Sequence, residues 1–176
     1  STGTDIYSAI SAAVGSLKGP KHGGANMKVM EMFSHIKENV KDWKDDEEIT
    51  AYLKEIITGK AGDGSGLVYG MGHAVYTLSD PRAVMLKSYA RKVAESKGML
   101  EELELMESVE RLTPDVFFTE KDNDKVICAN VDMYSGLIYR MLGIPQELYT
   151  PLFAIARMVG WCSHRIEEVY NSRNRI

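Results

Sequence analysis

Ala25-Asn26-Met27-Lys28-Val29-Met30-Glu31-Met32-Phe33-Ser34-His35-Ile36-Lys37-Glu38-Asn39-Val40 places Val29, Met30, Phe33, Ile36 and Val40 on one side of a helix and fills the other with Lys and Glu. A spacing near 3.6 residues marks an amphipathic helix with one face turned to a core. The pattern extends in both directions. Upstream, Ile6, Ile10, Ala13 and Val14 mark a helix over Asp5–Leu17 that closes where Gly19 and Pro20 break it. Downstream, Asp45 and Asp46 offer a cap for a helix carrying Ile49, Leu53, Ile56 and Ile57. Asp80 then caps a helix with Pro81 at its first position, where a missing N–H costs nothing, and Ala83–Ser96 continue it. Met99–Leu112, Val126–Met141 (ended by Gly143 and Pro145) and Pro151–Tyr170 read as three more. Residues 61–76 read as a glycine-rich loop with room for one or two short extended pieces. No segment sustains a two-residue alternation, so the fold class is all-α.

The chain has 176 residues, 44% of them hydrophobic and 26% charged, with a net charge of -4. That is enough for one domain, or a small domain with part of another. No basic stripe is present, which argues against nucleic acid as a partner. Cys128 and Cys162 lack CxxC spacing, so neither a metal site nor a disulfide framework is expected, and a reducing, cytoplasmic location fits. No apolar run reaches the roughly 18 residues of a spanning helix, and Ser1–Asp5 has no signal character. The first helix reads as already under way and Arg173–Ile176 stop without a cap, so both ends read as cuts. No internal repeat is visible, and the candidate seams are the glycine loop before His22 and the polar stretch Lys121–Lys125.

Three segments set a titratable residue among small or polar neighbours, where a substrate can approach the backbone: Gly19-Pro20-Lys21-His22-Gly23-Gly24-Ala25-Asn26, Gly70-Met71-Gly72-His73-Ala74-Val75-Tyr76 and Asn130-Val131-Asp132-Met133-Tyr134-Ser135-Gly136. Alone, a histidine between glycines is more often a surface turn. Asp132 has two readings: a helix-start cap, or a base desolvated by Val126, Ile127 and Val131. Together, a carboxylate and two imidazoles are the equipment for removing a proton beside a carbonyl and stabilising the enolate.

These segments in this order, completed by Asp80-Pro81-Arg82-Ala83, resemble the signature of the citrate synthases over about Asp5–Glu168. The resemblance implies that Asp132 takes a methyl proton from acetyl-CoA, that His22 hydrogen-bonds the thioester carbonyl, and that His73 binds and protonates the carbonyl of oxaloacetate. Arg82 and Arg157 would hold carboxylates, a task suited to a planar guanidinium. Arg157 lies inside the apolar run Phe153–Gly160, where an unpaired charge is costly, which points to an anionic partner. Coenzyme A, a substrate rather than a tightly bound cofactor, would lie along Leu67–Ala74, meeting Leu67, Gly70, Met71, Gly72 and Ala74. The implied division is 1–22 as the end of a large-domain helix and its loop, 23–125 as a small coenzyme A-binding domain, and 126–176 as the aspartate helix and a return to the large domain. The intact enzyme would be a homodimer.

Thr77 stands where some members of the family place a basic residue for the coenzyme's phosphates, and no segment here resembles the family's upstream oxaloacetate histidine or its partner-subunit arginine–proline pair. Arg173 and Arg175 are therefore left outside the site. His35, on the Lys- and Glu-rich helix, and His164, near the end of the last helix, read as non-catalytic. The same motifs serve 2-methylcitrate synthases, which use propionyl-CoA, and a coenzyme A-binding fragment inactive on its own is the further alternative.

Overall fold

The computed structural model describes residues 3–19, 24–121 and 126–170. In chain order the elements are α1 (Ile6–Leu17), α2 (Ala25–Asn39), α3 (Asp46–Ile57), α4 (Pro81–Lys97), α5 (Leu100–Lys121), α6 (Asp132–Met141), a 3-10 turn at Gln146–Leu148, and α7 (Tyr149–Tyr170). Among the described residues there is no strand, only an isolated antiparallel bridge between Met71 and Ala129. The fold is all-α. No described helix is long and apolar enough to cross a membrane.

The chain divides into two compact units, 25–146 and the pairing of 1–24 with 147–176. In the larger unit the apolar stripes expected of α2 and α3 face the core: Val29, Phe33, Ile36, Ile49, Leu53 and Ile57 are all buried. Full burial of one such side chain contributes about 1.5–3 kcal/mol. α4 joins through small residues, Ala83, Ala90 and Ala94, while Val84, Met85 and Tyr89 stay exposed. Gly136 lets α6 lie against α2, since a Cβ there would fall 2.7 Å from Met30 Cγ.

Two carboxylates tie the helices at their margins. Glu102 of α5 accepts from Lys37 of α2 at 2.9 Å and from Arg140 of α6. Burial pushes its carboxyl up, but the bonds from Arg140 and Lys37 outweigh this and leave it below the usual range. Glu110 of α5 accepts from Lys87 of α4 at 2.7 Å and from the hydroxyl of the fully buried Tyr134 of α6. Burial first, and then that bond, pushes the Tyr134 phenol far above its ordinary range.

In the smaller unit α1 packs on α7, and Leu17 and Tyr149 are the buried residues of those two helices. Arg165 of α7 donates to the Thr4 carbonyl.

Several helix boundaries differ from expectation. Asp5 is a cap rather than a helical residue: it is extended and accepts from Ser8 N–H at 3.0 Å, so α1 begins at Ile6. α5 continues nine residues past Leu112 and through Pro114, because Thr113 and Val116 are buried and Thr113 Oγ1 donates to Val109 O at 2.6 Å beside the proline. Tertiary burial overrides the proline's cost there. The helix expected over Val126–Met141 begins only at Asp132, because the backbone before it bonds to the glycine loop instead. α6 accordingly packs within the unit 25–146.

Candidate functional site

The glycine loop of residues 67–76 is held against the chain entering α6. Gly72 N–H donates to Cys128 O at 2.7 Å and Asn130 N–H donates to Gly70 O at 2.8 Å, flanking the Met71–Ala129 bridge. Gly70 has φ +85°, and a Cβ there would lie 2.8 Å from Met133 Sδ and 3.0 Å from Met133 Cα. Only glycine suits both the left-handed backbone and that approach. The Asn130 amide joins the same seam: Nδ2 donates to Gly72 O at 3.0 Å, and Oδ1 accepts from Asp132 N–H at 2.9 Å. Leu67 and Ala74 are exposed at the two ends of the loop.

His73 leaves this loop with its side chain one-fifth exposed. Its Nδ1 accepts from the backbone N–H groups of Val75 and Tyr76, at 2.9 and 3.0 Å. An Nδ1 used as an acceptor puts the proton of the neutral ring on Nε2. Nε2 lies 3.3 Å from Arg82 Nη2 and 4.0 Å from Asp80 Oδ2. The Tyr76 ring flanks the imidazole, with centroids 4.7 Å apart.

Asp80 anchors the arginine of this pair. It is 1% exposed, caps α4 by accepting from Arg82 N–H at 2.9 Å, and accepts again from Arg82 Nε at 3.0 Å and Nη2 at 2.7 Å. The Arg82 guanidinium holds the Asp80 carboxyl below the usual range despite its burial. Arg82 is raised in turn, chiefly by its bond to Asp80, with smaller contributions from Tyr76 and the Asp132 carboxylate. Asp132 is thus within electrostatic reach of Arg82. It is partly buried as the first residue of α6, with apolar Met133 and Tyr134 beside it.

The larger unit therefore brings together the loop carrying Gly70, Met71, Gly72 and Ala74, together with His73, Arg82 and Asp132. Arg157 lies on α7 of the other unit, half-buried, its guanidinium 5.2 Å from the Phe153 ring centroid. The apolar run around it is not buried in this chain, with Ile155 63% and Val159 74% exposed, so a low-dielectric surrounding does not distinguish it as expected. His22 lies outside the described residues. His35 is exposed on α2, and His164 is exposed 3.9 Å from Glu167.

The sequence profile of the family described as "Citrate synthase, C-terminal domain" matches residues 1–176. The chain belongs to the citrate synthase family. It is 40% identical over 176 residues to a citrate synthase of Deinococcus radiodurans, covering 100% of this chain and 42% of that protein. It is 38% identical over 169 residues to a citrate synthase of Synechocystis sp., covering 96% of this chain and 38% of that one. Among solved structures it is similar to the citrate synthase of Thermoplasma acidophilum in ternary complex with carboxymethyl coenzyme A and oxaloacetate, with a TM-score of 0.73 and 34% identity over 98% of this chain and 42% of that one. The chain thus spans about two-fifths of the length of these citrate synthases.

Two residues of this family member escaped the sequence reading as parts of the site. Asp80 was legible as a helix cap but not as the anchor of Arg82. The Asp-Pro-Arg spacing carried that signal, since a cap's second oxygen can meet a side chain two residues on. Asn130 stood inside a quoted segment, but the partner of its Nδ2, Gly72, lies 58 residues away.

Proposed function

We propose that the chain carries much of the condensing machinery of a citrate synthase: it binds oxaloacetate and coenzyme A, and serves the Claisen-type condensation of acetyl-CoA with oxaloacetate followed by hydrolysis of citryl-CoA. The observation that carries this reading is the placing of two donors side by side, His73 Nε2 and Arg82 Nη2, 3.3 Å apart and oriented by Asp80. An α-keto acid needs a donor at its keto oxygen and a cation at the neighbouring carboxylate. His73 Nε2–H supplies the first and Arg82 the second.

In this reading Asp132 removes the methyl proton of acetyl-CoA, and the electron pair moves into the thioester carbonyl, where His22 donates a hydrogen bond to the enolate oxygen. The new carbon–carbon bond forms at the keto carbon of oxaloacetate, and His73 donates its Nε2 proton to the oxygen that becomes the hydroxyl. Arg157 holds a second carboxylate. Coenzyme A lies along Leu67–Ala74, where Gly72 has open space in place of a side chain. Without the remainder of the length found in its relatives, the chain is expected to bind but not to turn over.

Calorimetric titration of the chain with oxaloacetate and, separately, with coenzyme A tests the binding. Oxaloacetate should bind, and Arg82→Ala should weaken it at least about tenfold, as expected for loss of a charge-assisted carboxylate contact. Absence of binding of both ligands to the unsubstituted chain would overturn the proposal. Thiol release from acetyl-CoA with oxaloacetate should stay at background. Turnover abolished by Asp132→Asn would show the chain to be self-sufficient, and comparison of acetyl-CoA with propionyl-CoA would then fix the acyl preference.

A further inference from the structure

We infer that Asn130 is a positioning residue that sets His73 and Asp132 in one register through its single amide group. The roles of those two residues rest on the function proposed above; the coupling itself rests on geometry. The carbonyl that accepts from Asn130 Nδ2 at 3.0 Å is that of Gly72, and it shares a peptide plane with the His73 N–H. The N–H that donates to Asn130 Oδ1 at 2.9 Å is that of Asp132 itself. One planar side chain thus holds the peptide that delivers the histidine and the peptide that delivers the aspartate, across 58 residues of sequence. Both ends need it. Gly72 has φ +90° and no neighbour within 4 Å of where a Cβ would lie, so packing does not fix the orientation of its peptide. At the other end, Val131 offers α6 no side-chain cap, and Asn130 supplies that acceptor from one residue further back.

The backbone bonds from Gly72 to Cys128 and from Asn130 to Gly70 hold the two segments together and use neither the Gly72 carbonyl nor the Asp132 N–H. The Asn130 amide engages both of those groups. Catalytic geometry is sensitive on this scale, since a misplacement of about 1 Å can cost roughly a hundredfold in rate. In this chain the positioning can be read without turnover.

Two variants separate the amide's two bonds. Asn130→Asp keeps the oxygen that accepts from Asp132 N–H and loses the donor to Gly72, whereas Asn130→Ala loses both. The readouts are amide hydrogen exchange at Asp132 and at Val75 and Tyr76, whose N–H groups donate to His73 Nδ1, and the imidazole 15N resonances of His73. In Asn130→Asp, Asp132 exchange should stay within about threefold of wild type while exchange at Val75 and Tyr76 rises about tenfold or more. The His73 Nδ1 resonance should also leave the position of a hydrogen-bonded acceptor. In Asn130→Ala all three amides should speed up and the His73 signals should move the same way, which separates lost positioning from the added charge of aspartate. His73 resonances and Val75 and Tyr76 exchange unchanged in both folded variants would reduce Asn130 to a cap of α6 and overturn the inference. A shift in Asn130→Asp alone would do the same by assigning the effect to charge. Failure of oxaloacetate and coenzyme A to bind the wild-type chain would remove the catalytic meaning of the clamp and leave its coupling to be decided by these spectra.

Discussion

Gly70 and Gly72 have similar backbone angles but different surroundings, and substituting each by alanine separates strain from collision. At Gly72, φ is +90° with open space where a Cβ would stand, so alanine should cost only the strained backbone, about 1–2 kcal/mol. At Gly70 the same strain is joined by a Cβ 3.0 Å from the Met133 backbone, and the total should reach about 3–4 kcal/mol. Urea denaturation with an unchanged slope would establish the order; equal losses would mean the loop relaxes away from α6. A second single-residue prediction concerns acid. Bonds from Ser65 and Tyr69 hold the Asp63 carboxyl at about 2, below its ordinary 3.8, so its charged form favours the folded state. That contribution is complete above the unfolded value, declines as pH falls below about 4, and is gone near 2. Asp63 is partly exposed, so screening limits it to less than about 1 kcal/mol. Asp63→Asn should flatten stability against pH between about 4 and 2 in urea titrations, and an unchanged slope would refute the assignment.

At the scale of elements, α4 depends on Asp80 twice, as its cap and as the anchor of Arg82. Asparagine keeps the cap and alanine does not, so Asp80→Ala should be about 1 kcal/mol less stable than Asp80→Asn in thermal or urea unfolding. Both should weaken oxaloacetate binding, alanine more, because asparagine keeps the oxygen that accepts from Arg82 Nε and loses only the bond from Nη2. Equal stability of the two would show that the cap contributes nothing. The helices themselves were legible because their stripes recur at three and four residues and their starts carry Asp45 or Asp80 with Pro81. What periodicity could not decide was Val126–Val131. Its apolar residues suit a helix or an extended stretch, and the partner that settles the matter is a loop some 55 residues earlier, reached through Gly72 and Gly70. At Pro114 the balance runs in the opposite sense, since local chemistry argues for a break while burial of Thr113 and Val116 carries the helix on. The site followed the same rule: His73, Arg82 and Asp132 were legible as residues within motifs, whereas the bonds from Asp80 and Asn130 that orient them exist only once the chain has folded.

At the scale of the whole molecule, the two units are unequally built. The larger buries a continuous core from α2, α3, α5 and α6, whereas α1 and α7 bury only Leu17 and Tyr149 between them and leave Tyr7, Ile155, Val159 and Tyr170 exposed. Local stability follows buried apolar contact, so opening of α1 and α7 should cost at least about 3 kcal/mol less than opening of α3 or α5. Native-state hydrogen exchange reads this directly, and equal protection in the four helices would refute it. The exposed apolar face has a second consequence, since patches of this kind favour association. Light scattering should show a mass that rises with concentration in the unsubstituted chain. Paired Ile155→Lys and Val159→Lys substitutions place charge on that face without touching the core of residues 25–146. They should restore a concentration-independent mass while leaving exchange in α3 and α5 unchanged. If the mass of the unsubstituted chain is already constant, the face of α7 is not sticky in water. If the doubly charged variant still associates, the contact lies elsewhere, and exposed Val84, Met85 and Tyr89 of α4 become the surface to substitute next.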